Sequence, residues 1–222
     1  MPGLIKIFIN PAVAANEKVE EAYSQQVKYL KEVWDDDTYG LERIVRLFLC
    51  AVQFLFPILL IRDIFGRRGI VTRKLAVEGY TFLKLLLPLF VLFFGFYRSP
   101  VVVGIIIYLL SETIVHILHL IFLYDIHEAA VSYHRSVLFL FLHYAEVVLD
   151  FATIYIGFNL LSEKLSPISA IYFSLVANAT VGFGDIVPQG NIGRLVLISQ
   201  VLIGVLFLLL FINYFSQKIN EK

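Results

Sequence analysis

The strongest constraint on the fold is a series of apolar stretches, each close to the length a helix needs to cross a bilayer core, about 20 residues. Tyr80 to Tyr97, Val101 to Tyr124, Ser136 to Leu161 and Ile192 to Phe215 are four such spans. Leu41 to Ile61 is a fifth candidate, read either as a span or as a helix lying in the interface. The chain is 59% hydrophobic and 16% charged, far from the balance of a soluble domain. An all-α membrane protein follows. Formal net charge is zero, so no basic face points to nucleic acid, and none is expected as a partner. Cys50 is the single cysteine; an intrachain disulfide is excluded and no zinc-type spacing exists. Ile5 to Ile9 is too short for a secretory leader and polar residues follow it, so no signal peptide is expected.

Residues 1–40 are polar. Asn10-Pro11 suits a helix start, with Asn as the cap and Pro at the first position. Val19, Ala22, Tyr23, Val27, Leu30 and Trp34 then recur at helical spacing. An amphipathic helix outside the hydrocarbon is expected, ended by Asp35-Asp36-Asp37 and Gly40. Arg62 to Gly79 reads as a loop holding Arg62, Arg67, Arg68, Arg73 and Lys74. Such a cluster marks the cytoplasmic side. Arg98-Ser99-Pro100 makes a tight hairpin between two spans. Asp125 to Arg135 is a short polar stretch.

Between the last two spans lies Thr180-Val181-Gly182-Phe183-Gly184-Asp185, preceded by a short apolar helix, Pro167 to Ala179. An apolar helix too short to span is tolerated at membrane depth only when buried in protein. Glycine at alternate positions, 182 and 184, tolerates left-handed backbone. That lets successive carbonyls point the same way and replace the hydration shell of a cation. The Thr180 hydroxyl adds a further oxygen layer.

This hexapeptide resembles the signature of potassium-channel pores, and the resemblance covers Ser136 to Lys222. It implies an outer helix, a re-entrant pore helix, a filter and an inner helix, preceded by about three peripheral membrane helices. Ser166 caps the pore helix and Pro167 starts it. The helix dipole then favours a desolvated cation at its C-terminal end. Ile186-Val187-Pro188 resembles the family's outer-mouth turn and Gly193-Arg194 its start of the inner helix. Gly204 stands at the spacing of the family's hinge glycine. The implied domains are a polar helical segment over 1–40, peripheral helices over 41–135 and a pore domain over 136–222. Thr180, Val181, Gly182, Phe183 and Gly184 are implied as the ion-binding filter, in a closed ring of four chains. Expected partners are K+, the lipid membrane and further copies of the chain, with K+ as transported ion and neither a cofactor nor another metal. The expected location is the cell membrane, with the segment after Phe215 cytoplasmic; counting spans back places the Ser99 hairpin outside and the basic loop inside.

Several residues depart from the family pattern. Tyr172 and Phe173 stand where the family usually has two Trp residues. The filter aromatic is Phe183, which has no hydroxyl to bond behind the filter. Ala179 stands where many members have a second Thr. Val176 replaces an acid found in some bacterial members, so Asp185 needs another partner, and Tyr172 is the expected one.

No span carries Arg or Lys at every third position, so strong voltage dependence is not expected. Instead Glu112, His116 and His119 share one face of the third span. Three readings apply to them: a proton sensor, a zinc or iron site, or a polar seam between helices. His143, Glu146 and Asp150 repeat the pattern on the outer helix, where they can face the first trio. The segment 216–222 is too short for a ligand-binding domain, which argues against nucleotide or calcium gating. A potassium-selective channel, not an enzyme, is the main functional expectation. Its rivals are a non-conducting regulatory subunit and a His/Glu metal-dependent membrane protein. Opening is expected to bend the inner helix at Gly204 and move the apolar segment Phe207 to Phe211 off the axis.

Overall fold

The computed structural model describes residues 20–123, 133–163 and 165–220. The expected start at Asn10-Pro11, most of the stretch from Asp125 to Arg135 and the last two residues lie outside them. Eight α-helices make up the described chain: α1 (Ala22–Asp35), α2 (Gly40–Val52), α3 (Pro57–Gly66), α4 (Ile70–Phe93), α5 (Pro100–Phe122), α6 (Tyr133–Gly157), α7 (Pro167–Asn178) and α8 (Gly190–Asn220). α4, α5, α6 and α8 are long and apolar enough to cross a membrane. The chain divides into two compact units, Met1–Phe82 with Leu118–His127, and Leu83–Ile117 with Glu128–Lys222.

In the first unit, α1 buries Ala22, Gln26, Tyr29 and Val33. This corrects the expected face, because Tyr23, Val27 and Trp34 are exposed. A polar contact decides it: Gln26 Nε2 donates to the Cys50 carbonyl at 2.9 Å. Gln25 Oε1 accepts from Arg62 at 3.2 Å and from Arg73 at 2.9 Å, tying α3 and α4 to α1.

The structure adds a bend to one expected element of this unit and overturns another. Leu41 to Ile61 is not one straight helix: α2 and α3 meet at a 68° bend, a broken span or a re-entrant loop. Pro57 causes it. The residue before a proline is pushed to extended backbone, and Phe56 has φ −102° and ψ 147°. Nor is Arg62 to Gly79 a loop. α4 starts at Ile70, so Arg73 and Lys74 are helical, and only a short turn around Arg67–Gly69 separates it from α3.

The second unit holds the outer helix α6, the short α7 and the inner helix α8. α6 is the most buried of the four long helices. Leu92 of α4, Ala152 of α6 and Ala170 of α7 form one fully buried cluster, flanked by Tyr97, Ile156 and Ile171. Two alanines at the α6–α7 contact let the backbones approach closely, as small residues do between membrane helices. α6 stops at Gly157, earlier than the expected Leu161. Asn159 takes left-handed backbone, φ 50°, and Leu160 N–H bonds back to Tyr155 O at 2.9 Å. Asn is one of the few residues that accept this C-terminal turn readily.

Candidate functional site

Ser166 Oγ accepts from Ser169 N–H at 3.2 Å, and Pro167 opens α7. The other end of α7 runs directly into the hexapeptide. Val181 N–H bonds Val176 O and Thr180 N–H bonds Ala177 O, both at 3.0 Å. This is a Schellman closure with Thr180 as its left-handed residue, φ 56°. A β-branched residue seldom adopts that conformation; it costs roughly 1–3 kcal/mol and persists only where the surroundings hold it. Gly182 and Gly184 follow with φ 56° and 79°. Every second residue from 180 to 184 is therefore left-handed.

α7, which leads into this segment, is tied to its neighbours by a buried polar network. Tyr155 (α6) donates to Gln200 Oε1 (α8) at 2.8 Å. Gln200 Nε2 donates to the Ser174 carbonyl and hydroxyl (α7), both at 2.8 Å. Ser174 Oγ donates to the Val148 carbonyl (α6) at 2.6 Å. Tyr155, Gln200 and Ser174 are fully buried. Three helices are thus joined by one chain of hydrogen bonds. The sequence reading passed over all three residues; the polar pair Ser199-Gln200 within the apolar run of α8 was the available signal.

Beyond the glycines, the Tyr172 hydroxyl lies close to the Asp185 carboxylate. The Tyr172 ring lies parallel to Phe183, centroids 6.5 Å apart. The chain after Asp185 is pinned to the end of α6: Ser162 N–H bonds Val187 O at 3.0 Å and Gln189 N–H bonds Leu160 O at 2.7 Å. Gly193 is required there, since a β-carbon would sit 2.6 Å from Leu160 O.

Gly204 lies against Asn178, the last residue of α7. A β-carbon at 204 would meet Asn178 Oδ1 at 2.8 Å and its carbonyl at 2.9 Å. Close packing against Asn178 is thus one reason for a glycine here. The expected closing segment also needs correction. Phe207 and Leu210 are buried, with Phe207 edge-on to Tyr144 of α6. The exposed large apolar residues of α8 are Ile192, Leu195, Ile198, Leu202, Val205, Leu208, Leu209, Ile212 and Phe215.

Glu112, His116 and His119 do not form a ligand set. Glu112 and His119 are buried while His116 is exposed, and His119 belongs to the first unit. Among the described residues, no group of three His, Cys, Asp or Glu is placed to hold a metal ion. Glu112 instead faces Lys84 of α4, 3.2 Å away. Lys84 also lies 3.1 Å from Glu146. Sequence reading missed Lys84, although a lysine inside an apolar run carries the same signal as Glu112.

A family model described as ion channel matches residues 101–221, more than half of the chain, and includes α5 as well as α6 to α8. Neither curated proteins nor solved structures gave a match. The matched stretch holds the short helix, its left-handed exit strand and the two long helices that flank them; the chain is an integral membrane protein belonging to this ion channel family, with a pore of the potassium-channel type.

Proposed function

We propose that four copies of this chain surround one axis and conduct K+ passively and selectively. The observation that carries this reading is the left-handed backbone at Thr180, Gly182 and Gly184. A chain alternating in this way turns its carbonyls to one side, and a ring of such strands supplies the oxygens that replace a hydration shell. The C-terminal end of α7 adds partial negative charge at the inner entrance. Leu195, Ile198, Leu202, Val205, Leu209 and Ile212 are uncovered at alternating spacings of three and four. Such a stripe suits helix packing around a shared axis. Val181 and Phe183 are also largely uncovered in a single chain.

The same reading places the chain in the cell membrane with the end of α8 and the basic residues Arg62 to Lys74 on the cytoplasmic side. Bending of α8 at Gly204 remains part of it as the opening motion, with Leu208, Leu209 and Ile212 as the apolar constriction.

The test uses the purified full chain in potassium-loaded liposomes. Potassium flux well above sodium flux, blocked by barium, is the expected result. Equal fluxes, or none, would overturn the proposal. In mild detergent the chain should run as a tetramer; a stable monomer or dimer counts against it.

A further inference from the structure

Three apolar helices of the second unit bring their charged residues to one buried point. Lys84 of α4 is 3.2 Å from Glu112 of α5 and 3.1 Å from Glu146 of α6. Thr113 Oγ1 lies 2.5 Å from the same ammonium and donates to Glu146 Oε1 at 2.8 Å. The other oxygen of Glu146 meets His143 Nδ1 at 2.9 Å. The rings of His143 and His116 are 5.2 Å apart. One helical turn beyond Glu146 comes Asp150, 1% exposed, whose Oδ2 has no hydrogen-bond partner among the described residues.

Charge balance then decides what this cluster must hold. α4 contributes Lys84; α5 contributes Glu112 and His116; α6 contributes His143, Glu146 and Asp150. α7 has no charged residue, and α8 has none between Arg194 and Lys218. One ammonium faces three carboxyl groups. With all three ionised and both imidazoles neutral, the cluster carries two net negative charges inside hydrocarbon. Isolated charge there is costly, and a buried ionised carboxylate without a donor is the most costly member. Lys84 and Thr113 serve Glu112 and Glu146. Asp150 has an orphan oxygen and no cation of its own. A protonated carboxyl removes the charge and needs only one acceptor.

We propose that this cluster is a proton-binding site and that Asp150 holds a proton at neutral pH. The site is distinct from the filter, and its occupancy does not depend on the potassium reading. It is linked to the filter support by two residues of α6: Val148 accepts the Ser174 bond from α7, and Asp150 is the next residue but one.

Infrared spectroscopy of the full chain in lipid vesicles tests it, near pH 7. The expected result is the carbonyl band of an un-ionised carboxylic acid, lost in Asp150→Asn and kept in Asp63→Asn. Asp63 is the control because it is buried yet ion-paired to Arg67 at 3.0 Å. If Asp150→Asn does not assemble, carbon-13 aspartate in the wild type decides, since the band must shift. A wild type with no such band, or a band unmoved by both Asp150→Asn and labelled aspartate, overturns the proposal. Ion flux is read on the same vesicles. The band without potassium flux leaves the proton site standing and removes the conduction reading; flux without the band does the reverse.

Discussion

A β-carbon added to Gly204 would stand 2.9 Å from the carbonyl oxygen of Asn178. The inner helix thus touches the backbone at the end of α7, at one of the three positions where α8 has no side chain, Gly190, Gly193 and Gly204. Asn178 itself is 4% exposed and its amide has no partner among the described residues. Neither helix can give way cheaply there.

Gly204→Ala should therefore destabilise the fold before it alters opening. Overpacking of this kind costs typically 1–3 kcal/mol. Thermal unfolding in detergent reads it. An unchanged melting temperature with a lowered open probability would return Gly204 to the role of a hinge alone.

Gly182→Ala isolates backbone strain, because nothing lies within 4 Å of the added carbon in the chain. A left-handed L-residue costs roughly 1–2 kcal/mol. We expect the chain to assemble and lose selective flux. Retained potassium-over-sodium selectivity would show that the strand does not need its left-handed residue at 182.

Tyr155→Phe removes the donor to Gln200 and leaves a buried amide oxygen unpaired. The expected loss is about 1–3 kcal/mol. Gln200→Leu should cost at least as much, because it also strips two bonds from Ser174. Melting curves of both variants, alone and combined, check the coupling; fully additive losses would mean that the three residues do not act as one clamp.

Tyr172→Phe keeps the ring parallel to Phe183 and deletes the hydroxyl that lies close to the Asp185 carboxylate. Assembly should be unaffected. Filter durability in low potassium should fall, measured as the decay of liposome flux over time. A decay equal to that of the wild type would remove the Tyr172 hydroxyl from the proposed filter support.

Lys84→Met leaves Glu112 and Glu146 buried without their cation. Breaking a buried pair by removing one partner costs about 3–5 kcal/mol. Lys84→Met combined with Glu146→Gln should recover part of that loss. A double variant no more stable than the single one would argue against direct pairing.

Much of the region from Ser166 to Asp185 was legible because its signals are local. Ser166-Pro167 encode a helix start through capping and a missing N–H, and the structure places both as read. Gly182 and Gly184 advertise left-handed backbone. Span lengths follow from hydropathy, although α4 begins ten residues earlier than its apolar run because a helix continues into polar sequence where its charges can find partners such as Gln25. The bend at Pro57 was visible as a proline but not as a 68° turn.

What the tertiary structure alone decided is which faces meet. α8 is apolar on nearly every side, so its sequence has no stripe to say that Phe207 turns toward α6 while Leu208 and Leu209 stay uncovered. The charged trio on α5 suggested a shared face, yet a ligand set needs groups from several helices at one point, and spacing along one helix cannot supply that. Lys84 joined Glu112 to Glu146 because two helices distant in sequence pack beside α6. Local residue chemistry determined the helix starts, the left-handed glycines and the membrane lengths. Pairing across helices, which depends on rotation and depth rather than on neighbours in the chain, fixed the Tyr155–Gln200–Ser174 network, the tight contact at Gly204 and the buried charge cluster.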